Sequence, residues 1–250
     1  MNKIILIFVL FSSLVNAQFK TKPIEYAIDF LIRNKETKDY SYNLQLMTHW
    51  LNNQYTFNPS LKQIPLGDKK LNPDEQIPYS FFNSIIEKKN IKPIDSLIYN
   101  YNKTLGIEHL LLWASNSNSI RFDSECKKTI LEKTPENLNI RQISHIALAY
   151  RWSKYNQTRE ENLLFKNYIT FITPILLEKI KKEDSINDNW LEGIIGLICF
   201  EKPNLVKKRW LKKLLQKQNK DGGWSWDPDE DKSSNIHTTL LALWVIKEFE

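Results

Sequence analysis

Apolar residues recur along most of this chain at the spacing of amphipathic helices. Between Pro23 and Arg33 they form the i, i+3, i+4, i+7 stripe of one helical face. The same period predicts further helices over 44–51, 80–89, 93–101, 105–114, 123–132, 139–152, 159–181, 189–200, 203–218 and 236–249. Pro174 predicts a kink or a restart in the longest of these segments. No Asn-Gly or Asp-Gly dipeptide joins two runs of alternating apolar and polar residues, as it would in a β-hairpin. Strand signals are therefore absent, and we predict an all-α protein.

The longest interruption of the helical pattern runs from Asn52 to Tyr79. It contains four prolines and shows no sustained hydrophobic period. In a compact domain, a loop of this length is usually a lid, a binding loop or a boundary. We therefore predict a long loop over 52–79 within a single helical domain that spans 18–250.

Helices of two kinds alternate in the C-terminal half of the chain. The segments 189–200 and 236–249 are apolar almost all round, which predicts burial on every side. Segment 203–218 has a lysine-rich face opposite an apolar face, which predicts a position on the outside. Buried helices that each follow a surface helix indicate paired helical hairpins arranged in two layers.

A weak internal repeat supports this arrangement. The segments His145–Trp152 and His237–Trp244 share the pattern H-x-x-L-x-x-x-W, and Trp190 falls midway between them. The period is about 45 residues, which is typical of arrays with two helices per repeat. The alternative interpretation is a chance match between long apolar helices.

Composition and charge restrict the class of protein. The 250 residues are 42% hydrophobic and 26% charged, an ordinary globular balance that excludes a wholly disordered chain. The formal net charge of +6 is mild and spread along the sequence, whereas a nucleic-acid binder concentrates its basic residues. The densest basic run, 207–217, falls on the lysine face of a predicted surface helix, so we expect no nucleic-acid partner.

Residues 1–17 have the pattern of a secretory signal peptide. Lys3 precedes an apolar run that is too short to span a bilayer, and Val15-Asn16-Ala17 resembles a cleavage site. We expect cleavage after Ala17, export to the periplasm or the extracellular space, and no stable membrane insertion. In such a compartment Cys126 and Cys199 either pair or remain buried free thiols, and the sequence leaves both alternatives open.

The clearest local motif is the segment Gln218–Trp224, which lies between a surface helix and the last buried helix. Gly222 and Gly223 are expected to supply positive φ angles after the helix end. The Gln218 side chain is expected to bond an open carbonyl group, and Trp224 to cover the corner.

Residues Gln218, Gly222 and Trp224 resemble the Q-x(2–5)-G-x-W repeat of the terpene cyclase and prenyltransferase superfamily. The similarity covers 203–249, where the next helix also resembles the inner helices of these proteins. It implies an α/α toroid, in which the motif is a structural brace. We expect about five hairpins, whereas the complete toroid of this superfamily has six. The resemblance thus implies a small or incomplete ring; an α-solenoid is the alternative.

The chemistry of that superfamily does not carry over to this sequence. His237 is similar in position to the zinc-binding histidine of protein prenyltransferases, but their D-x-C pair has no counterpart here. The cyclase motif D-x-D-D corresponds only to the segment Asp227–Glu230. We therefore expect the architecture without the activities, and we predict no metal and no cofactor.

The weak catalytic candidates are His237 and the alternating carboxylates Asp227, Asp229 and Asp231. The carboxylates lack the glycine and glutamate of a calcium loop, so a solvated acidic loop is favoured. The histidines each lie near a tryptophan, as core residues or as the wall of a cavity for sugars or apolar ligands.

Two functions remain open at this point. The first is a binding or structural module with a central cavity or a concave face for a small molecule or a glycan. The alternative is an enzyme, either a polysaccharide lyase or hydrolase or a cyclase-like acid catalyst. The enzyme hypothesis predicts that His237, nearby carboxylates and an Arg or Tyr lie within hydrogen-bonding reach of one another.

Overall fold

The computed structural model describes residues 22–64, 106–115, 117, 120–131, 134–227 and 232–250. Nine α-helices lie in these ranges: α1 (22–34), α2 (Tyr42–Tyr55), α3 (Gly106–Ser115), α4 (Ser124–Leu131), α5 (Ile140–Ser153), α6 (Arg159–Lys182), α7 (Asp188–Cys199), α8 (Lys208–Gln216) and α9 (Ile236–Glu248). Short 3-10 helices cover Pro59–Gln63, Pro135–Asn137 and Pro203–Leu205. The all-α prediction is confirmed. The predicted signal peptide and the predicted helices 80–89 and 93–101 lie outside the described residues.

Local details differ from the sequence predictions in three places. Helix α6 continues through Pro174, so the helix does not restart there. Part of the predicted loop 52–79 is helical, because α2 extends to Tyr55 and a 3-10 helix follows. Strands β1 (Trp224–Ser225) and β2 (Ser234–Asn235) form a small antiparallel ladder, so the expected absence of strands was wrong. Two residues per strand are too few for an alternating pattern to register in the sequence.

Polar caps define where the inner helices begin. Asn139 and Gln142 form a reciprocal capping box at the start of α5. The side chains of Asn187 and Asn235 accept hydrogen bonds from backbone N–H groups at the starts of α7 and α9. These caps set the positions of the residues that open each helix.

The helices pack in two layers. Helix α7 is buried except at Asn189, and α9 is buried from Ile236 to Ile246 except at His237, as its apolar sequence predicts. Helix α8 buries only Trp210 and Leu214, which matches the predicted surface helix. In the inner layer α5 packs against α3 and α7, α7 against α9, and α9 against α2.

Helices α1 and α2, near the start of the described chain, contact elements near its end. Trp50 of α2 meets Trp244 of α9 edge to face, with ring centroids 4.6 Å apart. Gln218 Nε2, after α8, donates a 2.7 Å hydrogen bond to the Pro23 carbonyl of α1.

Both cysteines are buried, and no disulfide joins Cys126 to Cys199. Among the described residues, no helix has the length and apolar character needed to cross a membrane.

Candidate functional site

The Gln218–Trp224 corner ties α8 to α1 through backbone carbonyl groups. Gln218 Nε2 donates to the carbonyls of Pro23 and Gly222, each at 2.7 Å. Trp224 Nε1 donates to the Leu214 carbonyl at 2.9 Å, which secures the last turn of α8. The corner therefore links the last turn of α8, the Gly222 loop and the first turn of α1 by side-chain hydrogen bonds.

The two glycines of this corner serve different purposes. Gly222 has φ of 98°, and a Cβ atom there would lie 2.1 Å from the Tyr26 carbonyl oxygen. Gly223 does not have the positive φ that the sequence suggested. A Cβ atom on Gly223 would instead lie 2.5 Å from Cβ of Ser234, so the close approach of β2 requires glycine.

His237 is the second residue of α9, and its side chain contacts Asp188, the first residue of α7. Its Nδ1 lies 3.0 Å from Oδ1 of Asp188, and Thr238 Oγ1 donates to the same oxygen at 3.0 Å. Asp188 is buried, and its backbone N–H donates to the Trp226 carbonyl. The Trp226 ring, 48% exposed, lies beside the imidazole at 6.0 Å between centroids.

Glu192 lies one turn after Asp188 on the same face of α7. Its side chain is 7% exposed, and Oε1 lies 3.6 Å from Nε of Arg141. Its Oε2 is buried and has no hydrogen-bond partner among the described residues. Burial and the neighbouring Asp188 carboxylate raise the pKa of Glu192 to about 7, despite the opposing effect of Arg141 and His237.

His145 of α5 lies at the edge of the same region. Burial, together with the charges of Arg141 and His237, lowers the pKa of His145 to about 4, so its imidazole is neutral at physiological pH. Ser144 Oγ donates to the Glu192 carbonyl at 2.6 Å, which fixes α5 against α7.

We call Asp188, Glu192 and His237 the Asp188 cluster. One potential ligand atom from each residue lies within 4.8 Å of the others. Two carboxylates and an imidazole at this separation can share a proton or hold one divalent cation.

A second group of this kind, His109, Asp123 and Cys126, has a structural explanation. Asp123 Oδ1 accepts a hydrogen bond from the Cys126 backbone N–H, 2.9 Å away, at the start of α4. The two Asp123 carboxylate oxygens lie 3.0 and 3.1 Å from His109 Nε2. This arrangement joins α3 to the start of α4.

The opposite ends of the inner helices surround a cleft. Residues from the C-terminal ends of α2, α3, α5, α7 and α9 line a volume of about 750 Å³. We call this the C-terminal cleft; its lining includes Trp50, Arg151, Trp152, Lys154, Tyr155, Glu201 and Glu248. Cys199 also contributes, and burial raises the pKa of its thiol to about 12, so the thiol stays protonated.

No protein-family model, curated protein or solved structure matches this chain. Its function is therefore argued from the side chains themselves.

The site residues predicted from sequence are only partly brought together. Asp229 and Asp231 lie outside the described residues, and Asp227 is half-buried beside Trp226. His237 instead meets Asp188 and Glu192, which sequence reasoning missed. Their i, i+4 spacing at the start of an apolar helix was the available sequence signal.

Proposed function

We propose that this chain is an exported binding module with an α/α-toroid-like ring, and that its Asp188 cluster holds one divalent cation. The observation that carries the cation site is the buried Glu192 Oε2, which has no hydrogen-bond partner among the described residues, close to donor atoms of Asp188 and His237.

Three features support the ring. The helices form an inner and an outer layer, α2 near the start of the described chain packs against α9 at its end, and the Gln218–Trp224 corner resembles the brace of the terpene cyclase and prenyltransferase superfamily. The pattern of residues 1–17 supports export. Mass spectrometry of the secreted or periplasmic chain tests that step, with an N-terminus at Gln18 expected.

A buried carboxylate oxygen without a partner is costly, because it has lost its water and gained no hydrogen bond. Glu192 avoids this cost either by taking a proton or by ligating a cation. A cation also relieves the repulsion between Glu192 and Asp188. The cation site therefore accounts for an arrangement that is unfavourable when Glu192 is ionised and no cation is bound.

The donor set favours a transition metal over calcium or magnesium. Zn²⁺ is commonly held by His nitrogen and carboxylate oxygen, whereas Ca²⁺ and Mg²⁺ prefer oxygen ligands alone. Three protein ligands leave a fourth position for water or for another molecule. Binding requires loss of the protons on Glu192 and on the His237 nitrogen that ligates, so affinity rises with pH.

Calorimetric titration of the EDTA-treated chain with ZnCl2 tests the cation site. We expect one ion per chain, and we expect Glu192→Gln, Asp188→Asn and His237→Ala to weaken binding by on the order of 100-fold or more. Glu201→Gln, a carboxylate outside the cluster, is the matched control and should bind as the wild type does. Saturable binding that survives all three cluster substitutions would place the ion elsewhere and overturn the proposal.

The second candidate function is acid–base catalysis, which the hydrogen bond between Asp188 and His237 favours. A carboxylate bonded to Nδ1 fixes the tautomer of an imidazole and leaves Nε2 to exchange a proton with a substrate. Arg141 adds a cation beside the cluster, with its Nε 3.6 Å from Oε1 of Glu192. The reaction classes are those inferred from the sequence: a lyase or hydrolase acting on a polysaccharide, or a cyclase-like acid catalyst.

Incubation with a panel of polysaccharides, followed by assays for unsaturated and reducing ends, tests this candidate. An activity that is lost in His237→Ala but unaffected by EDTA would support acid–base catalysis without a cation. If no polysaccharide is cleaved by the wild type, the lyase and hydrolase versions are wrong.

A further inference from the structure

The C-terminal cleft has the side chains of a second binding site, separate from the Asp188 cluster. It lies where the inner helices end, whereas the cluster lies where α7 and α9 begin. Its volume of about 750 Å³ is within the usual range for ligand pockets. Nothing argued for the cation site depends on it.

Aromatic rings are the first feature of this cleft. Trp50 and Trp152 contribute to the wall, and Tyr155 at the rim is 90% exposed. Lys154 Nζ lies 5.8 Å from the Tyr155 ring centroid, so the cation covers one face of the ring. Because most of its surface is exposed, the Tyr155 ring at the cleft rim is available for stacking against a ligand.

Neutral hydrogen-bonding groups are the second feature. Gln54, Ser115, Ser117 and Asn156 line the cleft with amides and hydroxyls, which both donate and accept. Asn156 Nδ2 already donates to Ser117 Oγ at 3.0 Å, which holds the amide in place.

The charged side chains that line the described cleft are paired with one another. Arg151 Nη2 lies 2.8 Å from Glu248 Oε1, and Lys154 forms an ion pair with Glu201. An anionic or cationic ligand would have to compete with these pairs. An uncharged ligand can instead accept hydrogen bonds from the cations and donate hydrogen bonds to the carboxylates while the ion pairs stay intact.

We propose that the C-terminal cleft binds a neutral oligosaccharide. The C–H faces of sugar rings stack on exposed aromatic side chains, and sugar hydroxyls suit a wall that mixes amides, hydroxyls and paired ions. Tyr155 supplies the stacking platform, and Asn156 and Gln54 bind hydroxyl groups. The paired charges select uncharged sugars over uronates.

Calorimetry on the full chain tests this proposal with hexasaccharides of glucose, mannose, xylose and N-acetylglucosamine, and with a hexauronate. We expect at least one neutral hexasaccharide to bind more tightly than the hexauronate. Because no ion pair is made or broken, its affinity should change less than about twofold between low and high salt. Tighter binding of the hexauronate, or no binding of any neutral hexasaccharide, would overturn the proposal.

Tyr155→Ala locates the bound sugar. Loss of a stacking ring should weaken binding by about tenfold or more, and the exposed position leaves folding intact. Tyr26→Ala removes a tyrosine that is 55% exposed on α1, outside the cleft, and should leave the affinity unchanged. Wild-type affinity in Tyr155→Ala would show that any sugar binds elsewhere. Sugar affinity measured with EDTA should equal that measured without it, which separates this result from the cation test.

Discussion

Asp188 and His237 lie 49 positions apart in the sequence, yet a 3.0 Å hydrogen bond joins Oδ1 of the first to Nδ1 of the second. Each residue stands at the start of an inner helix, and each helix is capped by the asparagine before its first residue. The caps fix where the two helices begin, and the packing of α7 against α9 sets their starts side by side. The polar cluster is a consequence of that arrangement.

Glu192→Gln should stabilise the protein at alkaline pH when EDTA is present. Glu192 has its pKa raised to about 7, so between pH 4.5 and 7 the folded chain binds more protons than the unfolded chain. Stability therefore falls as pH rises through this window. Glutamine does not titrate, so the variant escapes a penalty on the order of 1–3 kcal/mol at about pH 8.

Thermal unfolding of wild type and Glu192→Gln at about pH 5 and about pH 8 measures this difference. The gain in Tm should be clear at the higher pH and small at the lower one. An equal gain at both pH values would mean that packing, and not the ionisation of Glu192, explains the effect.

Gly222→Ala should destabilise the corner by more than about 2 kcal/mol, because alanine is strained at positive φ and its methyl group would strike the Tyr26 carbonyl. Gly196→Ala is the matched control. Gly196 is helical, and its nearest neighbours, at 3.1 Å, are side-chain atoms, so the helix propensity of alanine partly offsets the crowding. Urea unfolding compares the two variants, and an equal loss in both would contradict the special role of Gly222.

Gln218→Ala should loosen α1 from the end of α8. The substitution removes both hydrogen bonds of Nε2, including the one to Pro23, and the expected cost is about 1–3 kcal/mol. Gln216→Ala, which changes an exposed glutamine two residues earlier, should cost less than about 0.5 kcal/mol. Limited proteolysis should cut Gln218→Ala faster within 22–34 than it cuts the control. Equal cleavage rates in both variants would argue against the brace.

The layered helical fold could be predicted from the sequence, because the periodic apolar positions of each helix are the positions that become buried. Helices α7 and α9 are apolar almost all round and are buried almost all round, and the lysine face of α8 lies outside. These features are local, so single segments reveal them. The short β1–β2 ladder is different, because it arises from the geometry of one corner and not from a strand pattern.

Only part of the candidate site could be predicted from the sequence. The sequence indicates His237 by its position at a helix start, but the only partners it suggests are the carboxylates of the adjacent acidic loop. Asp188 and Glu192 lie on the preceding inner helix, and only the lateral packing of α7 against α9 brings them near. A search of equivalent repeat positions for charged residues at apolar helix starts would have found them.

Glu248→Gln should weaken the contact between α2 and α9. Burial alone would raise the pKa of Glu248, but hydrogen bonds from Tyr55, Arg151 and Trp244 hold it below its ordinary value. A carboxyl with a depressed pKa stabilises the fold above its unfolded pKa, and that stability is lost as pH falls through the folded value. Glutamine imitates the protonated state at every pH.

The expected loss for Glu248→Gln is therefore about 1–3 kcal/mol near neutral pH, and it should shrink as pH falls below 4.5. Tyr55→Phe removes the donor on α2, and the two substitutions should be strongly non-additive in urea unfolding, because each breaks the same contact. Glu250→Gln disrupts only a local pair with Lys247 and should change stability little. Additive losses at positions 55 and 248 would mean that this contact does not couple α2 to α9, and the ring proposal would lose its energetic support.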